Sequence, residues 1–163
     1  MRILFAYLCA VFLGACAPTP ATDFELPLRN PTVPIGAITR FDLGKFAGDW
    51  VVRQSGGGAW ALSRFSVSPS EGVWREADDA GLAQIDVRAP GILRLRYLDG
   101  FVRDVWVVWI DPDHQTAALG SPDGAFGFVV TRPNASRADQ VTAARQVLDF
   151  NGYRTAEWKA GAQ

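Results

Sequence analysis

Between Gly48 and Arg132 the chain is a series of short runs in which apolar and polar residues alternate, broken by turn residues, which is the period-2 signature of half-buried strands. The stretch Phe41 to Gln54 organises the rest. Phe41-Asp42-Leu43-Gly44-Lys45-Phe46 predicts a short turn of helix, and after Gly48-Asp49-Trp50 the β-branched pair Val51 and Val52 starts a strand. Alternation puts Trp50, Val52 and Gln54 on one face. A Trp at the first inward position of a first strand plugs one end of a closed sheet, and Gly48 lets the chain pass close beneath the indole.

Further strands follow at Ala61 to Ser68, Val73 to Glu76, Leu82 to Arg88, Ile92 to Tyr97, Phe101 to Ile110, Thr116 to Gly120 and Phe126 to Arg132. Turn signals separate them: Pro69 to Gly72, Asp78 to Gly81, Pro90-Gly91, Asp111 to His114 and Ser121 to Gly124. Asp99-Gly100 is the strongest hairpin signal of all. Ser55-Gly56-Gly57-Gly58 predicts a mobile loop over one end; a phosphate-cradling loop would need a helix after it, and a strand follows instead. Eight strands with no helical pattern between them predict an antiparallel up-and-down sheet, and closing it into a barrel removes its edges. After Pro133, Ser136 as a cap with Asp139 three residues on predicts a helix whose apolar stripe is Val141, Ala144 and Leu148, ending at Asn151-Gly152 and packing outside the barrel.

The first residues change the picture of where such a domain works. Met1-Arg2 and the apolar run Ile3 to Leu13 read as a secretory signal, too short to span a bilayer, which takes roughly 20 apolar residues. Leu13-Gly14-Ala15-Cys16 resembles the bacterial lipobox, which implies cleavage before Cys16 and lipid modification of that cysteine; Ala17 in place of Asp implies sorting to the outer membrane. The expected organisation is therefore a signal peptide over 1–15, a lipidated Cys16 with a proline-rich tether over 16–34, and one folded domain over 35–163. Cys9 and Cys16 are the only cysteines, so the processed chain has no intrachain disulfide and its stability rests on the core. A net charge of −1 with scattered Lys and Arg argues against nucleic acid as a partner.

The ordered set of motifs resembles the lipocalin family, in particular bacterial lipocalins of the outer-membrane lipoprotein type. Phe41-Asp42-Leu43 with Gly48-Asp49-Trp50 matches the first lipocalin motif, and Val130-Thr131-Arg132-Pro133 matches the third, whose arginine stacks on that tryptophan at the closed end. Trp109-Ile110-Asp111-Pro112-Asp113-His114 fits the second only partly, with His114 where the family usually has Tyr. The resemblance covers Phe41 to about Gly152. It implies an all-β fold, an eight-stranded up-and-down lipocalin barrel with a C-terminal helix outside, and a structural floor of Gly48, Trp50 and Arg132. A guanidinium over an indole contributes roughly 0.5–2 kcal/mol, more when water is excluded.

If Arg132 points inward at the floor, alternation puts Val130, Phe128 and Phe126 on its face, and the family register adds Val105, Val107 and Trp109, with Thr116, Ala118 and Gly120 opposite. The expected ligand wall is thus Val105, Val107, Trp109, Thr116, Ala118, Phe126 and Phe128. By themselves these side chains could equally fill the barrel. The resemblance implies a pocket for a fatty acid or lysophospholipid, used in lipid transport or storage in envelope maintenance; the alternative is a filled barrel that serves as a structural or protein-interaction module. Catalysis is poorly supplied, with one histidine, no nucleophile elbow and no expected cofactor. Asp111, Asp113 and His114 read as a turn rather than a metal site.

Overall fold

The computed structural model describes residues 27–56, 60–77, 81–135 and 137–160. Asp42 starts the fold locally: its carboxylate accepts from the amides of Gly44 (2.8 Å) and Lys45 (3.2 Å), capping the one-turn helix α1 (Leu43–Phe46). The chain then enters β1 (Gly48–Ser55), followed by β2 (Arg64–Ser68), β3 (Val73–Glu76), β4 (Leu82–Ala89), β5 (Ile92–Tyr97), β6 (Val102–Ile110), β7 (Thr116–Gly120) and β8 (Gly127–Thr131). Each strand pairs antiparallel with the next, and β1 pairs with both β2 and β8, so the sheet closes into the expected eight-stranded barrel. Asp99-Gly100 makes the β5–β6 turn, with Gly100 at φ +87° and its amide on the Tyr97 carbonyl.

Helix α2 (Ala138–Phe150) lies on the outside against β6, β7 and β8. Its start differs from expectation: Arg137 holds the N-cap position without a side-chain cap, and Ser136 lies outside the described residues. A 3₁₀ turn (Thr155–Glu157) leads to a short strand, β9 (Lys159–Ala160), which pairs with Gln54 and Ser55 at the end of β1 that β2 leaves open. No alternation of useful length marks so short a strand. Among the described residues no helix is long and apolar enough to cross a membrane.

Burial sorts the apolar residues into two bodies. One fills the barrel, from Phe46 and Trp50 at the floor to Phe126 at the mouth, and the other lies between the barrel wall and α2, where Val108, Ala118 and Val129 meet Ala144, Leu148 and Tyr153. The two faces of β7 and β8 are therefore both apolar, and all five residues of each strand are buried.

Three further features depart from the sequence reading. The stretch from Pro27 to Pro34, expected as tether with Leu28 among the residues that could lie along the domain surface, packs on the barrel beyond Leu28: the Leu28 amide donates to the Gly124 carbonyl and the Asn30 amide to Gly152. Arg29, 3% exposed, rivets it there by donating to the backbone carbonyls of Val33, Pro122 and Asn151 (3.2 Å from Nε to Asn151). Gln54 does not share the face of Trp50 and Val52, because a bulge after Val52 pairs it with outward-facing Val129. A second bulge, after Val107, sets Val108 and Trp109 on the same outward side before Ile110 returns inward.

Candidate functional site

The closed end is built around Trp50, fully buried, whose indole N–H donates to the Phe46 carbonyl at 2.8 Å and whose ring stacks 4.9 Å from that of Phe46. The Arg132 guanidinium lies 3.9 Å from the Trp50 ring centre. It donates to three carbonyls, those of Lys45 (2.9 Å), His114 (3.1 Å) and Asp49 (3.3 Å), and so ties α1, β1 and the β6–β7 turn together. Partial burial pulls its pKa down, opposed by Asp49 and Asp111. Gly48 has a more specific reason than a pass beneath the indole: at φ +91°, any Cβ there would sit 3.3 Å from Arg132 Nη1. The Asp111 carboxylate accepts from the amides of Asp113, Gln115 and Thr116, so it holds its own turn.

Of the seven residues expected on the ligand wall, Val105, Val107, Phe126 and Phe128 stand inside the barrel. Trp109, Ala118 and Thr116 do not. The bulge after Val107 turns Trp109 out, and on β7 it is Ala117 and Leu119 that face in, so Ala118 packs beneath α2 and Thr116 shares its outward face by alternation. β7 stands one residue out of the expected register because both of its faces are buried and its pattern carries no phase.

The interior also holds residues that the sequence reading did not name. Phe65 and Trp74 stack at 3.8 Å, and Leu93 and Leu95 line the opposite wall, fully buried. Trp60, from the β1–β2 connection, lies across the upper interior, 4.8 Å from Phe126 and 5.3 Å from Phe128. Of the mobile loop expected over Ser55 to Gly58, Ser55 instead closes β1 opposite Phe128 and the Gly56 amide donates to the Gly127 carbonyl, while Gly57 and Gly58 lie outside the described residues. The inward face of β2 and β3 was available in the alternation of Phe65 with Val67 and of Trp74 with Glu76; Trp60 sits in no strand and gives no such signal.

Near its mouth the barrel also takes in polar side chains. Glu76 Oε1 accepts from Trp60 Nε1 (3.1 Å) and from the Tyr97 hydroxyl, and burial pushes the Tyr97 pKa up, helped by the Glu76 carboxylate. Arg103, two residues before Val105 and so on its face, lays its guanidinium 4.0 Å from the Trp60 ring and 5.0 Å from that of Phe101. A groove of about 330 Å³ opens beside it, lined by Phe101, Arg103, Ser121 and Phe126 among others.

An up-and-down barrel closed by an Arg-on-Trp floor, carrying a partly polar rim and braced by one C-terminal helix, defines the lipocalin fold. Solved structures agree: lobster apocrustacyanin A1 superposes with a TM-score of 0.55 at 13% identity over 80% of this chain and 90% of that one. LTBP1 in its complex with LTC4 matches at 0.50 and 14%, over 78% and 90%. The tryptamine complex of the amine-binding protein of Rhodnius prolixus matches at 0.50 and 16%, over 78% and 84%. At these identities the likeness shows the fold. No protein-family model matches the sequence, and no curated protein matches it at a significant level.

Proposed function

We propose that this chain is a lipid-anchored lipocalin of the bacterial outer membrane that binds a fatty acid or lysophospholipid in its barrel, for lipid transport or storage in envelope maintenance. The observation that carries the binding reading is the distribution of polarity: an apolar interior from Trp50 upward, closed below by Arg132, with the charged side chains of Glu76 and Arg103 at the rim. That gradient suits an amphiphile lying lengthwise. Its fold neighbours LTBP1 and the Rhodnius prolixus protein, each solved with a small molecule bound, lend support by analogy. Binding rather than catalysis fits the side chains, since the ring of His114, the chain's only histidine, sits 3.2 Å from the Pro112 carbonyl in a floor turn and not in the interior.

A filled barrel acting as a protein-interaction module is the second reading, and the ring contacts across the interior favour it. Mass spectrometry of the purified protein under native conditions separates the two. Binding predicts co-purified lipid of one narrow mass class and saturable uptake of a dansyl-labelled long-chain fatty acid; a lipid-free protein that fails to take up the probe would leave the filled barrel.

The anchor rests on Cys16, which lies outside the described residues. The chain joins the fold at the mouth rim, where Leu28 meets Gly124, and the exposed Leu98 and Phe101 of the β5–β6 turn stand at the same end, so an anchor at Cys16 would hold the mouth toward the bilayer. Cys16→Ser is expected to move the protein from the membrane fraction to the soluble one. High salt should not release the wild type, because several acyl chains and not a basic patch would hold it. A Cys16→Ser protein that stays with membranes through a salt wash would refute the anchor.

A further inference from the structure

Resting on the reading of the interior as a lipid pocket, we propose that Arg103 makes the mouth a head-group site for a carboxylate, so that the preferred ligand is a free long-chain fatty acid. Arg103 is the one cation on the inward face of β6, a single alternation step above Val105, and its guanidinium stands where an apolar chain lying in the barrel would end. Among the described residues no carboxylate forms an ion pair with it. Its Nε is buried with no acceptor, although its face is covered by Trp60. Ring contact and the neighbouring Tyr97 hydroxyl satisfy the charge in part, but Nε keeps no oxygen, and a planar fork is best matched by a carboxylate.

The neighbouring carboxylates are already engaged. Glu76 Oε1 takes the Trp60 and Tyr97 donors, and its other oxygen lies against Gly81, where a Cβ would meet the carboxyl carbon at 2.8 Å. On the outer lip of the groove, Asp104 is held by both ends of Arg94 (2.7 and 2.8 Å) and Asp123 accepts from the Ala125 amide. One more donor waits inside: the Trp74 indole N–H, on a fully buried ring one inward position below Glu76, also has no partner. An uncharged hydrocarbon would leave both donors unsatisfied, and a cationic head would meet Arg103 at close range. The groove beside Arg103 offers room for a small head and its water.

The test compares palmitate with hexadecanol, equal in chain length and different in head, by displacement of a dansyl-labelled fatty acid from the wild type, Arg103→Met and Arg103→Lys. Far-UV circular dichroism and thermal melting confirm that each variant folds. The wild type is expected to bind palmitate at least about 10-fold more tightly than hexadecanol, in line with one charge-assisted hydrogen-bonded contact. Arg103→Met should abolish that preference while hexadecanol binds as before, and Arg103→Lys should keep most of it. Equal binding of the two by the wild type, or a preference that survives Arg103→Met, overturns the head-group site and leaves the pocket standing. Binding of neither ligand by the folded wild type overturns the pocket itself.

Discussion

Trp50→Ala is expected to lower stability by about 3–5 kcal/mol, because it removes a fully buried indole from the narrow end of the barrel, where the floor has few ways to collapse into the space. The loss reaches beyond the ring. Arg132 would keep its three carbonyls but lose the face it lies on, and the Phe46 carbonyl would lose its donor. Arg132→Ala alone should cost about 1–3 kcal/mol, from the stacking and from carbonyls left short of a donor. The double variant should fall short of the sum by about 1 kcal/mol, since the two share one contact. Urea unfolding of the four proteins measures this, and strict additivity would mean that the cation and the indole are not coupled in solution.

Val129→Asp should be as damaging as a substitution inside the barrel, although the side chain points outward. Val129 is fully buried between β8 and α2, beside Ala118, Ala144 and Leu148. The substitution removes about 1.5–3 kcal/mol of apolar burial and places a carboxyl among groups that cannot bond it, for a total of about 4 kcal/mol or more. Gln84→Asp, on the exposed face of β4, should change stability by less than about 1 kcal/mol. The deficit carries a pH signature. Burial raises the folded-state pKa of the new carboxyl above its unfolded value near 3.9, so the gap between Val129→Asp and wild type should be smallest below that value and widen as pH rises toward the folded pKa. Stability curves from pH 4 to 8 would show it, and a gap independent of pH would mean that the carboxyl reaches water.

How much of this protein was legible in its sequence depended on whether a strand shows two different faces. β1, β2, β4 and β5 each have a wet side, at least in part, and there the alternation carries phase. Strand order, closure, the outer helix and the Trp50 and Arg132 floor followed from short-range pattern, turn residues and the motifs around Gly48 and Arg132. Where a strand is dry on both sides, as β7 is under α2, period 2 has no phase to read, and Ala117 and Leu119 stand inward in place of the expected Thr116 and Ala118. β8 is equally dry, and its phase is legible because Arg132 at its end faces the floor.

What the tertiary structure alone decided has two physical sources. A bulge inserts one residue into one strand and so reverses every later side chain, and neither Gln54 nor Trp109 announces it, because the extra residue is accommodated by the partner strand across the ladder. Long-range docking is the other. Arg29 reads as a charged residue in a proline-rich leader, yet carbonyls supplied by Pro122 and Asn151, far along the chain, bury it. Trp60 and the rim of Glu76, Tyr97 and Arg103 likewise gain their meaning only when four separate segments meet at the barrel mouth. Local sequence determines which elements form and which way most of them face, since those choices rest on contacts within a few residues. The contents of the barrel are set by side chains that meet only after closure.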